Sequence, residues 1–126
     1  MRVGVPKEIK EQENRISLVP SGAAQMVKRG HEVLVERGAG LGADYSDEEF
    51  AGAGATLIDT AEEVFETADL ILKVKEPQKE ELPLLREGQI LFTYLHLAAS
   101  KKLTQSLLMT GCTALAYETV SFGGRL

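Results

Sequence analysis

Short apolar runs of strand length alternate with stretches of helical spacing along nearly all of this 126-residue chain. That alternation limits the fold more than any other feature. Residues 2–5, 32–36, 55–58, 69–74, 89–95 and 112–116 read as strands. Residues 21–29 carry small and apolar side chains at helical spacing, and Gly30 supplies the left-handed stop. Ser46 with Glu49, and Thr60 with Glu63, form capping boxes for two short helices. A polar turn begins at Gln78 and is interrupted by Pro83. Ser100 caps a last helix whose Leu103, Leu107 and Leu108 share a face, and Gly111 ends it. Strands separated by helices of this size mean βαβ units. The expected fold is therefore α/β, a mostly parallel sheet with helices on both faces, flavodoxin-like in style. Residues 32–36 alternate as a half-exposed strand, and Cys112 opens a buried one.

Right-handed crossovers put the carboxyl ends of all parallel strands on one side, where ligands of open α/β sheets bind. Two strands deliver reactive side chains there. Residues 69–74 lead to Lys75, just before Glu76 and Pro77, and residues 89–95 lead to His96. Lys75 has a plain alternative as a solvated lysine paired with Glu76, but Pro77 ends the strand abruptly and leaves Lys75 on the ligand edge. His96 lies between Leu95 and Leu97-Ala98-Ala99, a neighbourhood too apolar for a casual surface residue. It reads equally as a satisfied core histidine or as an acid/base, since imidazole titrates near neutrality. Arg15 follows the first strand amid Glu8, Glu11 and Glu13. It is either a surface ion pair of small value or a bidentate clamp for a carboxylate. His31, after a helix-ending glycine, reads as structural.

Other chemistries find little support. Lys and Arg number 14 against 19 Asp and Glu, a net charge of −5, and no basic run offsets it, which argues against a nucleic-acid partner. No apolar stretch approaches the ~20 residues of a membrane helix. The N-terminus lacks a signal-peptide pattern. The lone Cys112 excludes an internal disulfide and fits a reducing cytoplasm. No ligand spacing suggests a metal, and no Gly-x-Ser-x-Gly elbow suggests a hydrolase. Residues 38–43, Gly-Ala-Gly-Leu-Gly-Ala, formally fit a dinucleotide fingerprint with Asp59 at nearly the expected distance. In a true fingerprint the glycines open a full helix whose amides cradle the pyrophosphate. Here no helix begins before about Ser46, so the segment reads as an ordinary connection, and the chain reads as half of an active site.

The opening Met1-Arg2-Val3-Gly4-Val5-Pro6-Lys7-Glu8, then Glu13-Asn14-Arg15, resembles the start of the bacterial alanine dehydrogenases. So do Lys73-Val74-Lys75-Glu76-Pro77, Tyr94-Leu95-His96-Leu97-Ala98 and Ala116-Tyr117-Glu118-Thr119, in the same order. The resemblance implies an NAD-dependent enzyme that interconverts L-alanine with pyruvate and ammonia. It implies that Arg15 holds the substrate carboxylate, that Lys75 contacts the substrate and polarises its carbonyl, and that His96 is the general acid/base. It further implies that residues 1–126 are the N-terminal substrate domain. An NAD-binding Rossmann domain and a returning C-terminal segment would lie outside this chain, and the cofactor would be bound there. A cytoplasmic homo-oligomer, a hexamer in the full-length enzyme, is expected, while residues 1–126 alone are expected to be inactive. The α subunit of NAD(P) transhydrogenase shares the opening pattern but departs at the positions of Lys75 and His96. A non-catalytic binding or oligomerisation module is a third reading, favoured by the lack of nucleotide machinery and opposed by the intact Arg15, Lys75 and His96.

Overall fold

The computed structural model describes residues 1–97 and 100–121. Ala98 and Ala99, which contribute to the apolar neighbourhood expected around His96, lie outside the described residues, as does the chain end at Leu126. The strands are β1 (Arg2–Val5), β2 (Glu32–Glu36), β3 (Thr56–Ile58), β4 (Leu70–Leu72), β5 (Ile90–Thr93) and β6 (Thr113–Ala116). The helices are α1 (Pro20–Lys28), α2 (Asp47–Gly52), α3 (Ala61–Thr67) and α4 (Lys101–Thr110), with short 3₁₀ turns at Leu41–Ala43, Leu82–Leu84 and Tyr117–Thr119. All described strand pairs are parallel, in the order β3-β2-β1-β4-β5-β6. The expected α/β class and parallel sheet are therefore present. The strand order is that of a doubly wound dinucleotide fold, whereas a flavodoxin runs 2-1-3-4-5.

Alternation along the strands divides the core in two. Val3, Val5, Val33, Val35 and Leu72 pack with Ala23 of α1 and Phe50 of α2 on one face. Ile71 and Leu91 pack with Val64 and Phe65 of α3 and Leu107 of α4 on the other. Because α1 and α2 cover one face and α3 and α4 the other, the winding reverses between β1 and β4. A crevice opens outside the carboxyl ends of those two strands. The capping signals hold: the Ser46, Thr60 and Ser100 hydroxyls accept the N–H groups of Glu49, Glu63 and Leu103. Gly30 and Gly111 adopt φ of +92° and +75° after their helices.

Several local expectations need correction. Val33, Leu34 and Val35 are all buried, because β2 lies inside the sheet with neighbours on both sides and helices on both faces. Residues 69–74 and 89–95 form shorter strands than their apolar runs suggested. Gln89 lies before β5, fully buried, and its amide donates to the carbonyls of Phe65 and Ala68 at the end of α3. It supplies donors that the helix terminus lacks. Cys112 is only half-buried, and Thr113, Ala114 and Leu115 are exposed, because β6 is an edge strand.

Candidate active site

The loop after β1, residues 6–19, and the loop after β4 flank the crevice where the winding reverses. Arg15 comes from the first. Its Nε and Nη2 donate to the two carboxylate oxygens of Glu13, at 3.0 and 2.8 Å, in a bidentate pair. The Glu13 side chain is only 5% exposed while that of Arg15 is 63% exposed, so the acid is the anchor and the guanidinium projects outward. Arg15 holds the Glu13 carboxyl down at about 2, through the side-chain hydrogen bond first, against the opposing effect of burial. The same pairing raises Arg15 further.

Lys75 arrives from β4, half-buried, with Nζ 4.0 Å from Glu13 Oε1. Arg15 and Lys75 thus share one carboxylate and line one depression of about 500 Å³. The Lys75–Glu76 pair of the alternative, solvated-lysine reading does not form. Glu76 instead accepts from Lys10 Nζ at 2.5 Å, because the loop after β1 folds back over the end of β4. Burial pushes the Glu76 carboxyl up, and the hydrogen bond and charge of Lys10 outweigh it and leave the group low.

His96 follows β5 and is exposed, so it is not a core histidine. Its φ of +51° is uncommon for a residue with a Cβ. Glu118 holds this bend: its Oε1 accepts the N–H groups of Leu95 at 2.9 Å and His96 at 3.4 Å. The imidazole stacks on Tyr94, ring centroids 6.2 Å apart. Tyr94 also lines a cleft of about 570 Å³ with Arg15, Ser17, Tyr45 and Tyr117. Burial first, and then the nearby Glu8 carboxylate, pushes the Tyr117 phenol up to about 12. All three sequence-predicted residues therefore lie at the carboxyl edge of the sheet. Arg15 and Lys75 are neighbours, and Tyr94 shares a cleft with Arg15 and pairs its ring with His96.

Beneath this edge lies a cluster that strand patterning did not disclose. Lys73 Nζ, 1% exposed, donates to Glu8 at 2.8 Å and forms a second ion pair with Glu81 Oε2 at 3.2 Å. Burial raises the Glu81 carboxyl, partly offset by Lys73. A lysine inside an otherwise apolar run, with Glu8 on the loop opposite, was the available signal, because a buried charge must be paired.

The glycine segment does not fit a dinucleotide. A Cβ at Gly40 would meet Phe50 at 2.7 Å and the Tyr45 carbonyl at 2.9 Å, and one at Gly42 the Asn14 carbonyl at 2.8 Å. These glycines admit the protein's own atoms rather than a ligand. The helix that follows has six residues and begins Asp47-Glu48-Glu49, carboxylates that would repel a pyrophosphate. Among the described residues no group of three metal-ligating side chains occurs, and no helix is long and apolar enough to cross a membrane.

Residues 4–125 match the family described as "Alanine dehydrogenase/PNT, N-terminal domain". The chain is 54% identical over 125 residues to the alanine dehydrogenase of Methanococcus maripaludis, covering 99% of this chain and 34% of that protein. It is 52% identical over 126 residues to that of Bacillus subtilis, covering 100% and 33%. A solved L-alanine dehydrogenase superposes with a TM-score of 0.96 at 45% identity, covering all of this chain and 35% of that one. A transhydrogenase from Sinorhizobium meliloti superposes at 0.88 with 30% identity, over 94% of this chain and 35% of that one. The chain spans about a third of the length of the curated relatives it matches. With the fold, the crevice and the match over residues 4–125 in agreement, this chain belongs to the alanine dehydrogenase/PNT family and carries its N-terminal domain.

Proposed function

We propose that residues 1–126 form the substrate domain of an NAD-dependent L-alanine dehydrogenase, with Arg15, Lys75 and His96 as its working residues. The supporting observation is the placement of two cations, Arg15 and Lys75, around one carboxylate at the crevice edge, with a histidine one tyrosine away. An amino acid or 2-oxo acid offers a carboxylate and, one carbon on, an atom that gains or loses charge. A guanidinium fork suits the first task. An ammonium beside the carbonyl oxygen stabilises the second. Imidazole takes and returns protons near neutral pH. Exposure of His96 suits proton exchange with water or substrate.

NAD use is the general implication of alanine dehydrogenase relatives. Since residues 38–43 do not suit a dinucleotide, the proposal assigns its binding to a part of the complete enzyme beyond these residues, and residues 1–126 alone should not catalyse the reaction. A cytoplasmic homo-oligomer, a hexamer, completes the reading. The transhydrogenase alternative is disfavoured because hydride transfer between two nicotinamides requires no carboxylate clamp. The test is turnover of pyruvate with ammonia and NADH by the complete enzyme and its His96→Ala variant. Loss of about 10²–10⁴-fold in kcat is expected for removal of a general acid/base. Near wild-type turnover would refute the role of His96.

A further inference from the structure

We propose that Glu8 is a positioning residue for Lys75, a strut that fastens the bend just beyond β4, at Val74 and Lys75, where β1 has turned away. The inference rests on the reading of Lys75 as a substrate contact. β1 pairs with β4 in parallel register, Val3 opposite Leu70 and Gly4 opposite Ile71. Beyond Val5 the chain turns away: the Lys7 N–H donates to Glu36 Oε1 at 2.9 Å, which holds the backbone toward β2. This departure opens the crevice, and it also strips residues 74 and 75 of a backbone partner on that side. Buried N–H groups left unpaired are costly.

The Glu8 carboxylate fills the gap. Its Oε2 accepts the Val74 N–H at 3.0 Å, and its Oε1 accepts the Lys75 N–H at 3.1 Å and Lys73 Nζ at 2.8 Å. Three consecutive residues thus bind one side chain, itself 2% exposed. On the opposite side the hydroxyl of Thr93, fully buried, donates to the Lys75 carbonyl at 2.8 Å. Both halves of the Lys75 backbone are fastened by side chains from other elements. Lys73 gives the strut its charge balance, and Glu81 shares that ammonium while its other oxygen accepts the Gln78 N–H. Misplacing a substrate contact by about 1 Å can cost about 10²-fold in rate, so this fastening bears directly on catalysis.

Glu8→Gln is the test, because its amide nitrogen brings a donor to a place where only donors point. If the buried Lys73, left with Glu81 as its one carboxylate, prevents folding, Glu8→Gln/Lys73→Met removes that charge and serves instead. Amide exchange followed by NMR on the 126-residue chain should speed up about tenfold or more at Val74 and Lys75 while Ile71 and Leu91 keep their protection. In the complete enzyme, kcat with pyruvate should fall about tenfold or more, with a smaller change in KM. Lys75→Ala, measured alongside, separates the two claims. If Lys75→Ala disables the enzyme but Glu8→Gln keeps wild-type kcat and protection, the strut is refuted and the Lys75 assignment stands. If exchange rises uniformly over the core, Glu8 is a stability element only and the proposal fails. If Lys75→Ala turns over normally, the assignment of Lys75 falls and this inference falls with it.

Discussion

Gly4 offers a sharp test of how the sheet carries this crevice. It lies within β1 beside the switch point, where α3 crosses close above. A Cβ there would stand 2.7 Å from Ala68 Cβ, 2.8 Å from Val64 Cγ1 and 3.1 Å from Ile71 Cδ1, all three residues fully buried. Its φ is not positive, so alanine meets no backbone strain and gains about 0.4–1 kcal/mol by restricting the unfolded chain. Against that stands overpacking of a close-packed core, about 1–3 kcal/mol. Contacts under 3 Å to buried side chains put Gly4→Ala in the upper part of that range, about 2–3 kcal/mol. A gain of about 1 kcal/mol reduces this to a net cost of about 1–2 kcal/mol. For a domain of this length each kcal/mol moves Tm by roughly 3–5 °C, so a drop of about 3–10 °C is expected. Gly52, the last residue of α2, is the control: an added Cβ meets no atom within 4 Å, and Gly52→Ala should gain up to about 1 kcal/mol. Thermal melts of the three 126-residue proteins by circular dichroism decide it. A Gly4→Ala protein melting at or above the parent would show that α3 does not depend on this close approach.

In the complete enzyme, Arg15→Ala should raise KM for pyruvate more than it lowers kcat, since a carboxylate contact serves ground and transition states alike. Arg15→Lys should restore only part, because an ammonium lacks the fork, and full restoration would argue for a point charge alone. Glu13 should titrate with a midpoint near 2 when its side-chain carboxyl carbon is followed by NMR, and Arg15→Ala should return it to the ordinary carboxylate range. The folded carboxyl is depressed, so the stability from this pair is present above its ordinary, unfolded value and is lost as pH falls through about 2. An unchanged midpoint in Arg15→Ala would refute the ion pair as its cause.

Local patterns determined the elements and the edge. Capping serines and threonines, glycine stops and apolar runs are signals between near neighbours in sequence, so the α/β alternation and the helix starts were legible. Right-handed crossovers then placed Arg15, Lys75 and His96 at one edge without knowledge of strand order. Strand order itself was not legible, because it depends on which strand pairs with which across tens of residues. With it went the burial of β2 and the exposure of β6. The contacts of the site were decided by the tertiary structure for the same reason. Lys73 is joined to Glu8, Lys10 to Glu76 and Gln89 to the end of α3 across separations of 65, 66 and 21 to 24 residues. A charge within an apolar run announces only that some partner must exist. Which carboxylate answers it is fixed when β1 turns toward β2 and the loop beyond it closes over β4.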